Sequence, residues 1–479
     1  MKKTLTVTGI IFLALMTILR LYHISSTQVT GDEAYYYVWT NHLSWGYIDG
    51  GPTIAFINKL FVLLFGVNGF SIRIGAVLLS TASAIYLWIW GTRRFSPLTG
   101  FLLLLLVTVT PVCFLSSIIH TYDTEMAVFM LVAIALYYDA YFVDTRFFYL
   151  AGFALGLALL SKISVLFPAI GIFIVPFVFA PMRHLLRKKE FYISFLLAGL
   201  IFSPFIMWNF THDFAFIRYK GGMAYRKGDL GDFVDVWAAQ IALYSPVIFW
   251  FAIVRPFSTV VTYLRTKQAP MAELYFSLVG IVPVLYFGIG SLFSRYYGNW
   301  VAPAFFGGLF LAAVTLGRQA AKARGPIRFH AAFSVVLLGI ALGQLYFSFL
   351  PLRRDPITSY YPYSEISGVV KQYFQTHPEL QGIRIVGNNY QIPSLVNFYL
   401  RPQLEATGLS LGDYHDTLYT MLYPGKTLAG LNFLFLCGGE EFSADWRPYF
   451  NTVEKQKTFI GKQHEILTLW YVTGYRGRT

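Results

Sequence analysis

Apolar runs of about 18–22 residues recur through the first 350 residues of this chain, and several contain no charged side chain. A helix of that length crosses a hydrocarbon core of about 30 Å. Lipid offers nothing to an open N–H or C=O group, so such runs fold as helices with their backbone satisfied internally. The runs fall near residues 4–22, 73–92, 98–118, 124–143, 147–160, 163–181, 190–209, 236–254, 272–292, 299–317 and 329–350, which predicts about eleven spans. Only Ser161 and Lys162 divide the fifth run from the sixth. Charged residues make up 13% of the chain, against about 25% in soluble domains. The expected class is therefore an α-helical polytopic membrane protein. Met1-Lys2-Lys3 and the apolar stretch that follows are too long for a signal-peptide core and lack a small-residue cleavage pattern, so they read as a retained first span.

The formal net charge is +13. In a soluble chain that would suggest nucleic acid. Here basic residues that hold loops on the cytoplasmic side explain it better, and no nucleic-acid partner is expected. With the N-terminus inside, alternation puts Arg93, Arg94, Arg146, Arg183 to Lys189, Arg255 to Lys267 and Arg318 to Arg328 in inside loops. The outside then holds Asp32, Glu33, Asp49, Asp123, Lys162, Asp213 and Arg295, and also the C-terminus. Cys113 and Cys437 support neither a disulfide framework nor a thiolate metal site.

Residues 351–479 differ from the rest. Their charge is denser, turn signals recur, and short β-like runs at Ile383 to Val386 and Phe433 to Leu436 alternate with a helix-like stretch at Glu365 to Thr376. The expected division is a membrane domain, 1–350, and a small extracytoplasmic α/β domain, 351–479. Within the first, the outer segment 23–72 is long for a connector. Its apolar part from Ile54 to Val67, interrupted by Asn58 and Lys59, suits a helix lying in the membrane interface. A second outer segment, 210–235, carries His212, Asp213, Arg218, Lys220, Arg226 and Lys227.

Short motifs mark the outer ends of these runs. They are Gly31-Asp32-Glu33-Ala34-Tyr35-Tyr36-Tyr37, Trp45-Gly46-Tyr47 through Asp49 to Pro52, Tyr122-Asp123, Leu160-Ser161-Lys162, Pro204 with Trp208-Asn209 and His212-Asp213, and Asn299-Trp300 with Pro303. In this order and topology the sequence resembles the bacterial protein-O-mannosyltransferase-like branch of the GT-C glycosyltransferases, relatives of the lipid A aminoarabinose transferases. Gly50-Gly51-Pro52 stands where that family usually has His-Pro-Pro. The departure removes any contact made by the histidine and is expected to loosen the local backbone.

The resemblance implies an inverting transfer from a polyprenyl-phosphate (undecaprenyl-phosphate) sugar, in the bacterial inner membrane, to a hydroxyl or phosphate of lipid A, another envelope glycan or a protein. The donor carries its own leaving group, a lipid phosphate. Such a reaction needs a base for the acceptor proton and positive charge for the departing phosphate. Asp32 is the candidate base; the bland reading is a helix cap. Asp123 is a second catalytic candidate, with helix capping as its alternative. Lys162 is a donor-phosphate candidate, with snorkelling as its alternative, and Arg295 is another. Glu33, Tyr35, Asp49 and Asn299 are substrate-binding candidates. Asp32, Glu33 and Asp123 have the ligand chemistry for a divalent ion, but no compact ligand motif occurs and the resemblance requires no cofactor. Walker loops, Rossmann glycine patterns and esterase elbows are not evident. A lipid or sugar transporter or flippase is the competing class; it predicts internal repeats and ionisable residues near the midplane, and neither is seen. A noncatalytic scaffold would leave the acidic outer loop unexplained. The sugar, the acceptor and the oligomeric state are not written in these patterns.

Overall fold

The computed structural model describes residues 2–224, 227–347, 349–350, 366–380, 382–412, 414–460 and 466–477. Arg226, Glu365 and the start of the expected C-terminal domain at 351 lie outside the described residues. Packing sorts the chain into two compact units. One comprises Met1–Ile24, Gly50–Ile54 and Arg73–Ile340, the other Ser25–Asp49, Ala55–Ile72 and Ala341–Thr479. Most of the first outer segment thus packs with C-terminal residues.

The chain begins with α1 (Lys2–Ser26), α2 (Gly31–Asn41), α3 (Thr53–Phe65), α4 (Ile74–Arg94), α5 (Pro97–Val109), α6 (Pro111–Ser116), α7 (Tyr122–Phe142) and α8 (Phe147–Ser161). Among the described residues, seven helices are long and apolar enough to cross a membrane: α1, α4, α7, Lys189–Thr211, Leu230–Thr266, Met271–Gly290 and Ala320–Phe347. An eighth is counted if Ile163–Val178 and Ala180–Arg187, bent by 103°, form one broken span. The expected count of eleven is therefore not reached by length. Three expected runs form short apolar helices instead: Pro97–Val109, Phe147–Ser161 and Pro303–Arg318. At 1.5 Å per residue, a helix of 15 residues like α8 covers about 22 Å, short of a full hydrocarbon core. The run at 98–118 is cut because Pro111 has no N–H to continue a helix and pushes Thr110 out of helical geometry (φ −52°, ψ 127°).

The helical unit has one continuous apolar core. It includes Met126, Met130, Ile134, Tyr137 and Tyr141 of α7 packed with Phe276, Phe305 and Phe310. Its charges separate along the helices. At the C-terminal end of α7, Asp139 is 2.8 Å from Arg94 Nε and accepts the Trp90 indole N–H at 3.0 Å. Glu273 binds Arg255 at 3.0 Å and Arg318 at 3.4 Å. Asp123 lies in the first turn of α7, sixteen residues before Asp139, which is about 24 Å of helix axis. A second break is held inside the unit. His330 Nδ1 is 2.7 Å from the Ser245 hydroxyl and its Nε2 is 3.4 Å from the Thr110 hydroxyl. Both hydroxyl residues precede prolines, and Ser245 has φ +67°, so this buried imidazole bridges two points where helical hydrogen bonding fails.

The other unit is α/β. Strands β1 (Ile385–Gly387), β2 (Ala406–Gly408), β3 (Phe433–Gly438), β4 (Thr452–Ile460) and β5 (Ile466–Thr473) form one sheet ordered β2-β1-β3-β5-β4. β1 pairs in parallel with β2 and β3, while β5 is antiparallel to both β3 and β4. β3 reads as an unbroken apolar run because both of its faces are covered. Leu434 and Leu436 join a core with Val29, Ala34 and Tyr37 from the outer segment and Ile392 and Val396 from the Gln391–Tyr399 helix. Phe433 and Phe435 join a second core with Leu428, Phe450 and Trp470. The expected strand at Ile383 to Val386 forms two residues later, as β1. The expected helix beginning at Glu365 is present as Ile366–Thr376.

Candidate active site

In the helical unit, three of the residues singled out from the sequence come together. Lys162 follows the last turn of α8 in an extended conformation (φ −156°, ψ 125°). Its Nζ lies 2.5 Å from Asp123 Oδ1, and Asn299 Nδ2 donates to Asp123 Oδ2 at 2.9 Å. The Tyr122 ring flanks the ammonium at 5.2 Å. Lys162 and Asp123 retain only 11% and 12% of their side-chain exposure, so the pair is weakly screened and fixed in direction. The helix-cap alternative does not describe Asp123. Thr121 holds the N-cap position of α7, and Asp123 turns both carboxylate oxygens towards these two partners. Beside the pair is a mainly apolar cavity of about 70 Å³ bounded by Ser83, Cys113, Asp123, Tyr244, Asn299 and Phe306.

The Gly-Gly-Pro departure acquires a reason here. A Cβ on Gly51 would fall 2.0 Å from the Leu160 carbonyl oxygen and 2.6 Å from that of Ser161. The Thr53 hydroxyl donates to Ser161 Oγ at 2.9 Å. The loosening expected from the sequence is therefore corrected: Gly51 permits a tight backbone approach that clamps the turn carrying Lys162.

Arg295 finds a different partner. Its Nε is 3.3 Å from Asp232, and it is 64% exposed. The neighbouring Ser294 bridges to Lys227. Lys220, noted in the 210–235 segment, stands over the rings of Tyr219 at 5.0 Å, Trp300 at 5.2 Å and Phe216 at 5.7 Å. Two further residues of the α7 approach escaped the sequence reading. His120 Nε2 and Glu125 Oε1 are 2.8 Å apart with both side chains fully buried.

In the α/β unit, α2 starts at a capping box. Thr30 Oγ1 accepts the Glu33 N–H at 3.2 Å, and Glu33 Oε2 accepts the Thr30 N–H at 3.0 Å. Glu33, a substrate-binding candidate, is thus buried and turned into the cap. Asp32 is one residue earlier, on another side of the first turn. Its Oδ1 accepts the Tyr390 hydroxyl at 2.9 Å and the Gln391 amide at 3.0 Å. The two elements touch because Gly31 lacks a side chain; a Cβ there would lie 2.6 Å from Gln391 Cβ. The Tyr35 ring lies 4.4 Å from the Tyr390 ring, tilted by 37°, and its hydroxyl accepts the Leu418 N–H at 2.8 Å. Burial raises the Tyr35 phenol well above its ordinary range, aided by the charge of Asp49. Burial likewise raises Tyr390, with Asp32 the next cause. Both phenols are neutral at physiological pH. Asp32, Tyr35 and Asp49 therefore share one neighbourhood, and the residues missed in the sequence are Tyr390 and Gln391. Trp45-Gly46-Tyr47 has a structural explanation: Tyr47 stacks on Trp39 at 3.9 Å and donates to the carbonyl of His42 at 3.0 Å. Among the described residues, no three His, Cys, Asp or Glu side chains gather as metal ligands.

Comparison with known proteins bears on this arrangement. A family described as dolichyl-phosphate-mannose-protein mannosyltransferase matches residues 49–208, a stretch holding Asp49, Asp123 and Lys162. The lipid A galacturonosyltransferase RgtD of Rhizobium johnstonii is 26% identical over 304 residues, 60% of this chain and 60% of that protein. The aligned region thus spans about three fifths of that relative's length. ArnT from Cupriavidus metallidurans bound to undecaprenyl phosphate superposes with a TM-score of 0.64 at 13% identity, covering 96% of this chain and 97% of that one. Its apo state gives 0.61 at 13% identity, covering 97% and 98%. At that identity the likeness speaks for the fold, and the sequence matches speak for kinship. The chain thus shares the fold of ArnT over nearly its whole length, and its sequence is similar to the mannosyltransferase family over residues 49–208 and to a lipid A galacturonosyltransferase.

Proposed function

We propose that this protein is an inverting membrane glycosyltransferase, moving a sugar from a polyprenyl-phosphate carrier to an extracytoplasmic acceptor. The observation that carries the reading is the Lys162 ammonium, held at the end of an apolar helix by Asp123 and Asn299. A fixed cation at headgroup depth suits a lipid phosphate that must leave as an anion. Asp123 has one oxygen on an ammonium and the other on an amide, which suits an anchor for Lys162.

Asp32 takes the acceptor's proton. The acceptor oxygen attacks the anomeric carbon, the bond from that carbon to the phosphate oxygen breaks, and the lipid phosphate carries away the electron pair. A hydroxyl acceptor needs this base; an ionised phosphate acceptor does not, so dependence on Asp32 reports the acceptor class. Undecaprenyl phosphate, the ligand named for ArnT, is the carrier of choice. Lipid A, named for RgtD, is the first acceptor, ahead of other envelope glycans and protein. The protein works in the bacterial inner membrane, with its N-terminus cytoplasmic and its α/β part periplasmic. No metal ion has an assigned step.

Mass spectrometry of envelope glycolipids and glycoproteins from a deletion strain tests this reading. One glycan class should lose a single sugar and regain it on complementation. Transfer by purified protein from a nucleotide sugar, with no lipid carrier present, would contradict it.

A further inference from the structure

We infer that Tyr390 and Gln391 are positioning residues for Asp32, so that the α/β unit is a working part of the catalytic machinery. The inference rests on the proposed role of Asp32 as base. Chain topology gives it weight, since 358 residues separate Asp32 from Tyr390. The contact is made at the N-terminus of a helix, Gln391–Tyr399, with Tyr390 in its N-cap position. That helix end and the first turn of α2 both favour negative charge. Two neutral donors meet on one oxygen, Asp32 Oδ1, at 2.9 and 3.0 Å. A docking contact between two elements would be served by one such bond or by apolar packing, which is already present between Ala34, Ile392 and Val396.

Two donors on one oxygen fix the rotation of the carboxylate and hold it ionised. Among the described residues, titratable neighbours are Glu33 and Tyr35 on its own helix, Asp49 from the outer segment, and Tyr390 and Tyr414 from the α/β part, with His415 6.3 Å from the Tyr390 ring. Glu33 is committed to the cap. The hydrogen bonds from Tyr390 and Gln391 stabilise the charged carboxylate. Their loss raises the pH at which Asp32 ionises, and the acidic limb of the kcat profile moves to higher pH.

The experiment uses full-length Tyr390→Phe and Gln391→Met in detergent or nanodiscs, with an undecaprenyl-phosphate sugar and a hydroxyl acceptor. Tyr390→Phe keeps the ring that packs beside Tyr35, and Gln391→Met keeps the side-chain length. The expected result is a fall in kcat of about 10-fold or more, little change in donor KM, and an acidic limb moved upward in both. Folded variants with unchanged kcat and limb overturn the inference, as does a rise in KM alone. If Tyr390→Phe fails to accumulate, Gln391→Met decides; failure of both assigns the pair to structure only and also overturns it. Asp32→Asn is run alongside. An active Asp32→Asn refutes the base, whereas an inactive Asp32→Asn beside unaffected Tyr390→Phe and Gln391→Met refutes only the positioning.

Discussion

Two carboxylates head helices in this protein, and their surroundings differ in kind. Asp123 opens α7 with one oxygen on an ammonium and the other on an amide. Asp32 opens α2 with one oxygen held by a phenol and an amide, both neutral. A carboxylate against a cation is worth most as a counter-ion, because protonating it would strand the cation. Neutral donors fix a carboxylate's rotation and favour its ionised form. Under the proposed mechanism, similar short acidic motifs do different work: Asp123 aims Lys162, and Asp32 takes a proton.

Substitutions can break that division. The largest effect is expected from Asp32→Asn, which keeps the shape but cannot accept a proton. Turnover should fall by about 10²–10⁴-fold, measured under single-turnover conditions. Lys162→Ala should weaken donor binding by about 10–100-fold, the worth of a charge-assisted contact, in a titration with the undecaprenyl-phosphate carrier. Asp123→Asn should weaken the same binding less, since the ammonium stays but loses its anchor; a loss of turnover matching Asp32→Asn with intact binding would reverse the two roles.

A smaller effect tests the clamp. Gly51→Ala places a methyl against the Leu160 carbonyl and should cost about 1–3 kcal/mol of stability, seen as a lower Tm, with donor binding weakened through Lys162. Arg295→Gln should change least. Its exposed pair with Asp232 contributes at most about 1 kcal/mol, and donor affinity should stay within a few-fold of the wild type. A loss as large as that of Lys162→Ala would restore Arg295 as a phosphate ligand.

The sequence carried the helical unit's cluster well. Tyr122-Asp123, Leu160-Ser161-Lys162 and Asn299 lie at the ends of apolar runs, and a shared end of several spans brings them together although 176 residues separate Asp123 from Asn299. The cap at Thr30 was overlooked, although Thr30-x-x-Glu33 has the capping-box spacing that separates Glu33 from Asp32. Span number was less legible. Hydropathy reports that a stretch is apolar but not where Pro111 ends a helix or where a chain bends by 103°. The donors on Asp32 left no local trace. Tyr390 and Gln391 follow a three-residue strand in a region read only by alternation, and nothing in Asn388-Asn389-Tyr390-Gln391 announces a carboxylate on α2. Gly51 was misread for a related reason: a glycine's freedom is visible in sequence, while the carbonyl that requires its missing Cβ is not.

The most direct test puts Asp32→Asn and Lys162→Ala through one pair of measurements, donor binding and single-turnover transfer to a hydroxyl acceptor. The account predicts opposite signatures. Asp32→Asn binds the polyprenyl-phosphate sugar normally and transfers it slowly, whereas Lys162→Ala binds it poorly. Well-folded Asp32→Asn protein with near-normal turnover would contradict the account and make Asp123 the leading base.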